Sequence, residues 1–271
     1  MELDELVRLT LAEDVGPADL TTEACVSEAS QGRARLYAKE PLVLSGHRAA
    51  AEVFRQLGCA YTVVVPDGGD AGPDDTVAWV DGPLRGLLTG ERAALNFLMR
   101  LSGVATHTRA AVSRAPGLKL VDTRKTTPCL RRLEKAAVRH GGAGNHRFGL
   151  FDGVMIKDNH IVAAGGIRAA VARVRAAAHP LLRVEVEVES IAELHDAIAA
   201  GADDVLLDNM DDATLAEAVR VAAGRVRLEV SGGITPERLP VLRALQVDRV
   251  SMGGLIHRAR WVDLSMRILP A

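Results

Sequence analysis

The sequence predicts an α/β protein in two parts, a mixed sheet-and-helix region over residues 1 to about 105 and a parallel α/β barrel joined to it by a long helix. Three observations carry this. From Lys119 onward, apolar stretches (LKLVDT, GVMIK, RVEVEVE, DVLLDN, VRLEVSGG and VDRVSMGG) alternate with helical segments, as in a parallel sheet buried on both faces. The later stretches recur about every twenty residues, the length of one βα unit. Polar residues close strand after strand: Thr123-Arg124-Lys125, Lys157-Asp158-Asn159, Glu187 and Glu189, Asp208-Asn209, Ser231-Gly232-Gly233 and Gly253-Gly254. A doubly wound sheet gives the same alternation, but polar strand ends on this scale favour a barrel, whose C-terminal strand ends form the mouth.

The elements follow in order. Leu3 to Leu11 is a short amphipathic helix, and EDVGPADLTT a loop. Gly32–Tyr37, Leu42–Leu44, Tyr61–Val65 and Thr76–Val80 are strand-like. From about Gly90 to Ser113, Leu95, Leu98, Leu101 and Val104 recur near helical spacing, so one face of a long helix is buried. Leu130, Leu133 and Ala137 mark a further helix, with Gly141-Gly142 as its C-terminal cap. Ser190 and Glu193 form a capping-box pattern ahead of Leu194 and Ile198. Thr235-Pro236 reads as a cap followed by proline at the first helical position, with Leu239 and Leu242 behind.

A chain of 271 residues, 48% of them hydrophobic, is long enough for a barrel plus a smaller domain. Its net charge of −2 offers no global basic field, so no nucleic acid partner is expected. The acidic start is unlike a secretory signal, and no apolar run is long enough for a membrane span. Cys25, Cys59 and Cys129 are odd in number and widely spaced, which fits neither a disulfide framework nor a zinc site and suits a reducing cytoplasm.

The densest chemistry lies between Asp122 and His160, where Arg124, Lys125, His146, Arg147 and Lys157 gather around a glycine-rich turn. Cations held at strand ends are what a small, multiply charged anion needs; arginine offers a planar fork for carboxylate and lysine a mobile point charge. Glu185, Glu187 and Glu189 alternate and so share one face of a strand. Glu187 or Glu189, with Asp208 one βα unit later, can hold Mg²⁺ through oxygen ligands or water; salt bridges to the basic cluster are the alternative. Ser231-Gly232-Gly233 and Gly253-Gly254 end the last two strands, where barrels often bind phosphate on backbone amides. A basic half for carboxylates, an acidic half for a metal and a glycine-lined end for phosphate suggest phosphoryl or phosphoribosyl chemistry on an acidic small molecule.

These residues resemble the quinolinate phosphoribosyltransferase family (nicotinate-nucleotide pyrophosphorylase, carboxylating) over nearly the whole chain. The resemblance runs through EDVGPADLTT, GERAALNFLMRLSGVAT, DTRKTTP, NHRFGLFDGVMIKDNHI, VEVEVES, GADDVLLDNM, LEVSGGIT and SMGGLIH. It implies an N-terminal α/β sandwich (residues 1–114) and an incomplete, TIM-like barrel (115–271), the last helix being free to pack back on the first domain. It also implies transfer of phosphoribosyl from phosphoribosyl pyrophosphate to quinolinate with loss of CO2, giving nicotinate mononucleotide and pyrophosphate. On that resemblance Arg124, His146, Arg147 and Lys157 line the quinolinate pocket, with Lys125 near both substrates and Arg92 arriving from a partner subunit. Lys125, Glu187 and Asp208 are then the catalytic group, the last two near Mg²⁺, and Ser231, Gly232, Gly233, Gly253, Gly254 and His257 form the phosphate region. A cytoplasmic homodimer with sites shared between subunits, or a hexamer of such dimers, is implied. The chain departs from the family pattern at Ala18, at Cys129, where glycine is usual, and at Met252-Gly253-Gly254. A ModD-like paralogue, one acting on another pyridine carboxylate, and a regulatory protein on a retired barrel are the competing readings.

Overall fold

The computed structural model describes residues 2–269. The chain divides into two compact units. The first takes in the chain up to Arg109, Thr127–Gly142 and the stretch from Arg258; the second holds Ala110–Thr126 and Ala143–His257.

In chain order, the first stretch contains α1 (Leu3–Val15), α2 (Leu20–Cys25), β1 (Gln31–Ala38), β2 (Leu42–Val43), α3 (His47–Gln56), β3 (Ala60–Val63), β4 (Asp70–Ala71), β5 (Thr76–Pro83) and α4 (Leu84–Arg114). Then come β6 (Leu120–Val121), α5 (Arg131–His140), β7 (Val154–Ile156), α6 (Asp158–Ala164), α7 (Ile167–Ala177), β8 (Val184–Val188) and α8 (Ile191–Ala199). The chain closes with β9 (Asp204–Asp208), α9 (Asp212–Ala222), β10 (Arg227–Ser231), α10 (Leu239–Ala244), β11 (Arg249–Ser251), α11 (Gly254–His257) and β12 (Leu264–Ile268).

The first unit is built on an antiparallel sheet of order β12-β1-β5-β3. Strand β1 alternates buried and open residues, as a half-buried strand must. Helices α2 and α3 and strand β4 are additional to the sequence reading. Helix α2 starts where the Asp19 carboxylate accepts a hydrogen bond from Thr22 N, inside the segment expected to be loop. Helix α3 buries Ala49, Ala50, Val53 and Phe54. Helix α4 begins at Leu84, not near Gly90, and its early glycines are packing positions rather than breakers. A Cβ on Gly86 would lie 2.6 Å from Leu57 O, and one on Gly90 would lie 2.8 Å from Leu57 Cδ1.

Two segments expected in the second domain belong to the first unit. Helix α5 is tied there by Glu134, which is fully buried and accepts from Arg100 Nη2 (2.7 Å), Thr127 N (2.8 Å) and Thr127 Oγ1 (2.7 Å). The closing element is a strand, not a helix: β12 pairs antiparallel with β1, Ala34 opposite Ile268. Tertiary pairing decides both assignments.

The second unit carries six parallel strands in the order β6-β11-β10-β9-β8-β7. Strands β6 and β7 are its edges, so the barrel is incomplete, and Gly144 extends it beside β6 by donating to Leu120 O (2.8 Å). One face is apolar and buried, with Val184, Val186, Val188, Val205, Leu207, Leu228, Val230 and Val250. Register puts Glu185 opposite Asp204, Glu187 opposite Leu206, Asp208 opposite Ser231 and Glu229 opposite Arg249, so the other face is largely charged. Two helix starts refine the sequence reading. Ser190 Oγ accepts from Glu193 N (3.2 Å), while Glu193 accepts from Glu189 N, one residue before the cap. Helix α10 starts at Leu239, because Thr235–Arg238 is a turn closed by Arg238 N donating to Thr235 O (3.1 Å).

Candidate active site

The site is assembled from the end of β6 outward. Asp122 is fully buried there. Its carboxylate accepts from His146 N (2.9 Å) and from Asn145 Nδ2 (2.6 Å). One acidic side chain thus fixes the loop carrying His146 and Arg147 to the strand that delivers Arg124 and Lys125. Further along, Asp152 accepts from Phe148 N (2.6 Å) and Gly149 N (2.8 Å), which shapes the rest of that loop. Arg147 Nη1 donates to Gly153 O (3.2 Å), aiming the guanidinium across the start of β7.

The C-terminal ends of all six parallel strands converge on one cavity of 340 Å³. Thr123, Arg124 and Lys125 come from β6, Arg147 and His146 from the loop, Met155 and Lys157 from β7, Glu187 from β8, Asp208 from β9, Ser231 from β10 and Ser251 from β11. Lys157 caps α6, and its ammonium pairs with Glu187 across the mouth. Asn209, at φ +54°, turns its amide back so that Nδ2 donates to Asp208 Oδ2 (2.7 Å).

Beneath the mouth lies an ion network. His146 Nε2 is 3.3 Å from a carboxylate oxygen of Glu185 and 3.3 Å from one of Glu229. Arg249 pairs with both glutamates. Burial works against a charged His146, but hydrogen bonds and charge from Glu229 and Glu185 outweigh it and hold the imidazole up at about 9. Arg147 N lies 2.8 Å from His146 Nδ1, so a proton on Nδ1 displaces that contact. For Glu229 burial favours the neutral acid, yet His146 and Arg249 hold its carboxyl down at about 2. Burial lowers Arg147 below the usual arginine value, with Arg124 adding repulsion.

Arg124, Lys125, His146, Arg147, Lys157, Glu187, Asp208 and Ser231 therefore meet around one space. Gly232, Gly233, Gly253, Gly254, His257 and Arg92 do not line it. Gly232, at φ +86°, must be glycine because a Cβ would lie 2.2 Å from Asn209 Oδ1, so it seats the turn after Asp208. A Cβ on Gly253 would lie 3.1 Å from Lys125 Cδ and 3.4 Å from His257 Cδ2, which sets both residues beside the mouth. Arg92 is exposed on α4 in the first unit. Sequence reasoning missed Asp122, Glu229, Arg249 and Ser251. Glu229 and Arg249 carried a usable signal: charges inside apolar strands are rarely buried without partners. Glu189 falls beyond the end of β8 and is exposed, so of the three alternating glutamates only Glu185 and Glu187 line the barrel.

The donor set at the mouth suits Mg²⁺. Glu187 and Asp208 stand on adjacent strands, and each commits one oxygen, to Lys157 and to Asn209. Two carboxylates are no full cage, which matches an ion that keeps water and takes phosphate oxygens. His146, Glu185 and Glu229 also bring ligand atoms within 4.8 Å of one another, but Arg249 already supplies the cation there.

Comparison with known proteins follows the same outline. Residues 19–102 match the family description "Quinolinate phosphoribosyl transferase, N-terminal domain" and residues 104–267 match its C-terminal domain. A probable nicotinate-nucleotide pyrophosphorylase [carboxylating] of Bacillus subtilis (strain 168) is 41% identical over 99% of this chain and 94% of its own. The nicotinate-nucleotide pyrophosphorylase [carboxylating] of Homo sapiens is 43% identical over 92% of this chain and 86% of its own. The solved structure of the nicotinate-nucleotide pyrophosphorylase from Francisella tularensis is 39% identical and superposes with a TM-score of 0.93, covering 98% of this chain and 96% of that one.

Proposed function

The chain belongs to the quinolinate phosphoribosyl transferase family, and we infer that it converts quinolinate and phosphoribosyl pyrophosphate to nicotinate mononucleotide, pyrophosphate and CO2, a step of NAD biosynthesis. The observation that carries the residue assignments is the convergence of Arg124, Lys125, Arg147 and Lys157 with Glu187 and Asp208 in one cavity.

Each residue's part follows from its chemistry. Quinolinate brings two adjacent carboxylates, and the two guanidiniums with Lys157 supply matched cations. Lys157 is held by Glu187. A substrate carboxylate takes the place of Glu187 at the ammonium, which turns that carboxylate toward the ribose. The ring nitrogen then displaces pyrophosphate at the ribosyl carbon. The C2–carboxylate bond breaks afterwards or together with this step, its electron pair stays on the ring carbon, and a proton replaces CO2. Positive charge growing on the ribosyl carbon is met by Glu187 and Asp208; negative charge on departing pyrophosphate is met by Lys125. Positioning and electrostatics are sufficient, and the reaction so written needs no covalent bond to the protein. Mg²⁺, when bound by Glu187 and Asp208, supplies charge neutralisation for pyrophosphate.

Arg92 is assigned to the equivalent cavity of a second copy, in a homodimer or a hexamer of dimers. Its exposure on α4 and its absence from the lining of its own cavity support this. Three free cysteines support a cytoplasmic setting. Turnover of quinolinate, with nicotinate and other pyridine carboxylates in parallel, tests the reaction: product from quinolinate alone upholds it, and turnover of another acid alone overturns it in favour of a paralogue.

A further inference from the structure

The second unit holds another cavity, at the opposite end of the barrel from the mouth. It measures 310 Å³ and is reached from the strand starts. Lys119 precedes β6, Val154 opens β7, Arg183 precedes β8, and Asp204, Arg227 and Arg249 open β9, β10 and β11. Barrel floors ordinarily serve stability. This one is hollow and charged, with five lysine and arginine side chains (Lys119, Arg147, Arg183, Arg227, Arg249) and His146 against three carboxylates (Asp152, Glu185, Asp204).

The arrangement leaves positive charge to spare. Arg183 Nε and Arg227 Nε each donate to Asp204 at 2.7 Å, so two guanidiniums share one buried carboxylate. Both side chains are nearly half exposed, at 49% and 46%, so either can turn to a guest while the other keeps Asp204 paired. Lys119 is exposed and makes no side-chain hydrogen bond or ion pair among the described residues. The two cavities are also joined: His146 and Arg147 line both, and Glu185, Glu229 and Arg249 hold His146 between them.

We propose that the floor of the barrel is a second binding site, for a small, multiply charged oxyanion of the phosphate type, and that its occupant acts on the mouth through His146 and Arg147. An anion on the floor draws Arg249 and Arg147 away from their present partners. The two residues that line both cavities then shift their charge away from the mouth, and the mouth's affinity for its own anion falls. Binding at the floor stands on the cavity alone; the effect on substrate rests on the function proposed above.

Inorganic phosphate is the probe, titrated calorimetrically into the full chain as wild type, Arg124→Ala (mouth), Lys119→Ala and Lys119→Ala/Arg183→Gln (floor). Lys119→Ala removes an exposed side chain and carries no folding risk; circular dichroism checks the double variant. The expected result is a binding event that persists in Arg124→Ala and weakens by about tenfold or more in the floor variants, the scale of one lost charge-assisted hydrogen bond. Phosphate binding that is untouched by both floor variants, or that vanishes with Arg124→Ala, overturns the site. The second arm follows the quinolinate KM as phosphate rises. A saturable, few-fold increase in the wild type that is lost in the double floor variant upholds the coupling; an increase without plateau, shared by both proteins, is competition at the mouth and overturns it. Absence of quinolinate turnover refutes the functional assignment while leaving the calorimetric result intact.

Discussion

Asp122→Asn changes one atom at the point where the two cation-bearing segments are joined. The Asp122 carboxylate is fully buried and accepts from His146 N at 2.9 Å and from Asn145 Nδ2 at 2.6 Å. In the variant one acceptor remains for His146 N, while the new amide presents N–H to the N–H of Asn145. A hydrogen bond to a charged group contributes about 1.5–3 kcal/mol, and a buried donor left unsatisfied adds a penalty of similar size. The expected destabilisation is therefore about 3–6 kcal/mol, read by urea unfolding as a lower midpoint with unchanged slope. Because the loop places His146 and Arg147, the quinolinate KM should rise about tenfold or more while kcat falls less. The exchanged pair, Asp122→Asn with Asn145→Asp, restores a donor facing an acceptor and should recover part of the stability. Unfolding midpoints within experimental error of wild type, with KM unchanged, would refute the claim that Asp122 fixes this loop.

Other outcomes follow from the same contacts. The folded state holds His146 up at about 9 against 6.5, so between those values it binds a proton the unfolded chain has lost. That stabilisation is complete below pH 6.5 and is lost as pH rises through about 9; at 1.36 kcal/mol per unit it amounts to no more than about 3 kcal/mol. Urea unfolding of wild type and His146→Gln from pH 6 to pH 10 should converge accordingly, and a constant difference would contradict the network. Cys129 sits at φ +66°, the left-handed region that glycine favours, so Cys129→Gly should raise stability by up to about 1 kcal/mol in thermal unfolding despite the entropy glycine adds to the unfolded chain. If Arg92 serves a neighbouring copy, mixing inactive Arg92→Ala and Lys125→Ala proteins should restore activity in verified mixed dimers; none recovered would place Arg92 outside the site.

The parallel strands were legible because each is a short apolar run closed by polar residues, and polar closure is what an inward-facing mouth requires. Arg124, Lys125, Lys157 and Asp208 followed from that pattern, which left Glu187 and Glu189 as alternatives until the resemblance favoured Glu187. Helix α3 was not, since HRAAAEVFRQ joins a small-residue face to charges and lacks the leucine repeat that marked α4. The allegiance of α5 was illegible for a different reason, as was the strand form of the closing segment, which was expected as a helix free to pack back on the first domain. They are decided by a buried Arg100–Glu134 pair and by β1's need for a neighbour, contacts between residues far apart in the chain. The same holds for the floor of the barrel, where Arg249 reaches Glu185 across 64 positions. Cys129 shows the converse: the departure from glycine was visible in the sequence, but its physical meaning needed the backbone angle.

The central claim is that the cations at the strand ends hold quinolinate for ribosyl transfer. Its most direct test is the release of labelled CO2 from quinolinate carrying the label in its C2 carboxylate, with phosphoribosyl pyrophosphate and Mg²⁺, for wild type, Arg124→Ala and Lys157→Ala. The account predicts turnover by wild type and a loss of about 10- to 150-fold in kcat/KM for each variant, the scale of one charge-assisted contact. Wild-type turnover that survives both substitutions undiminished would mean that quinolinate is bound elsewhere.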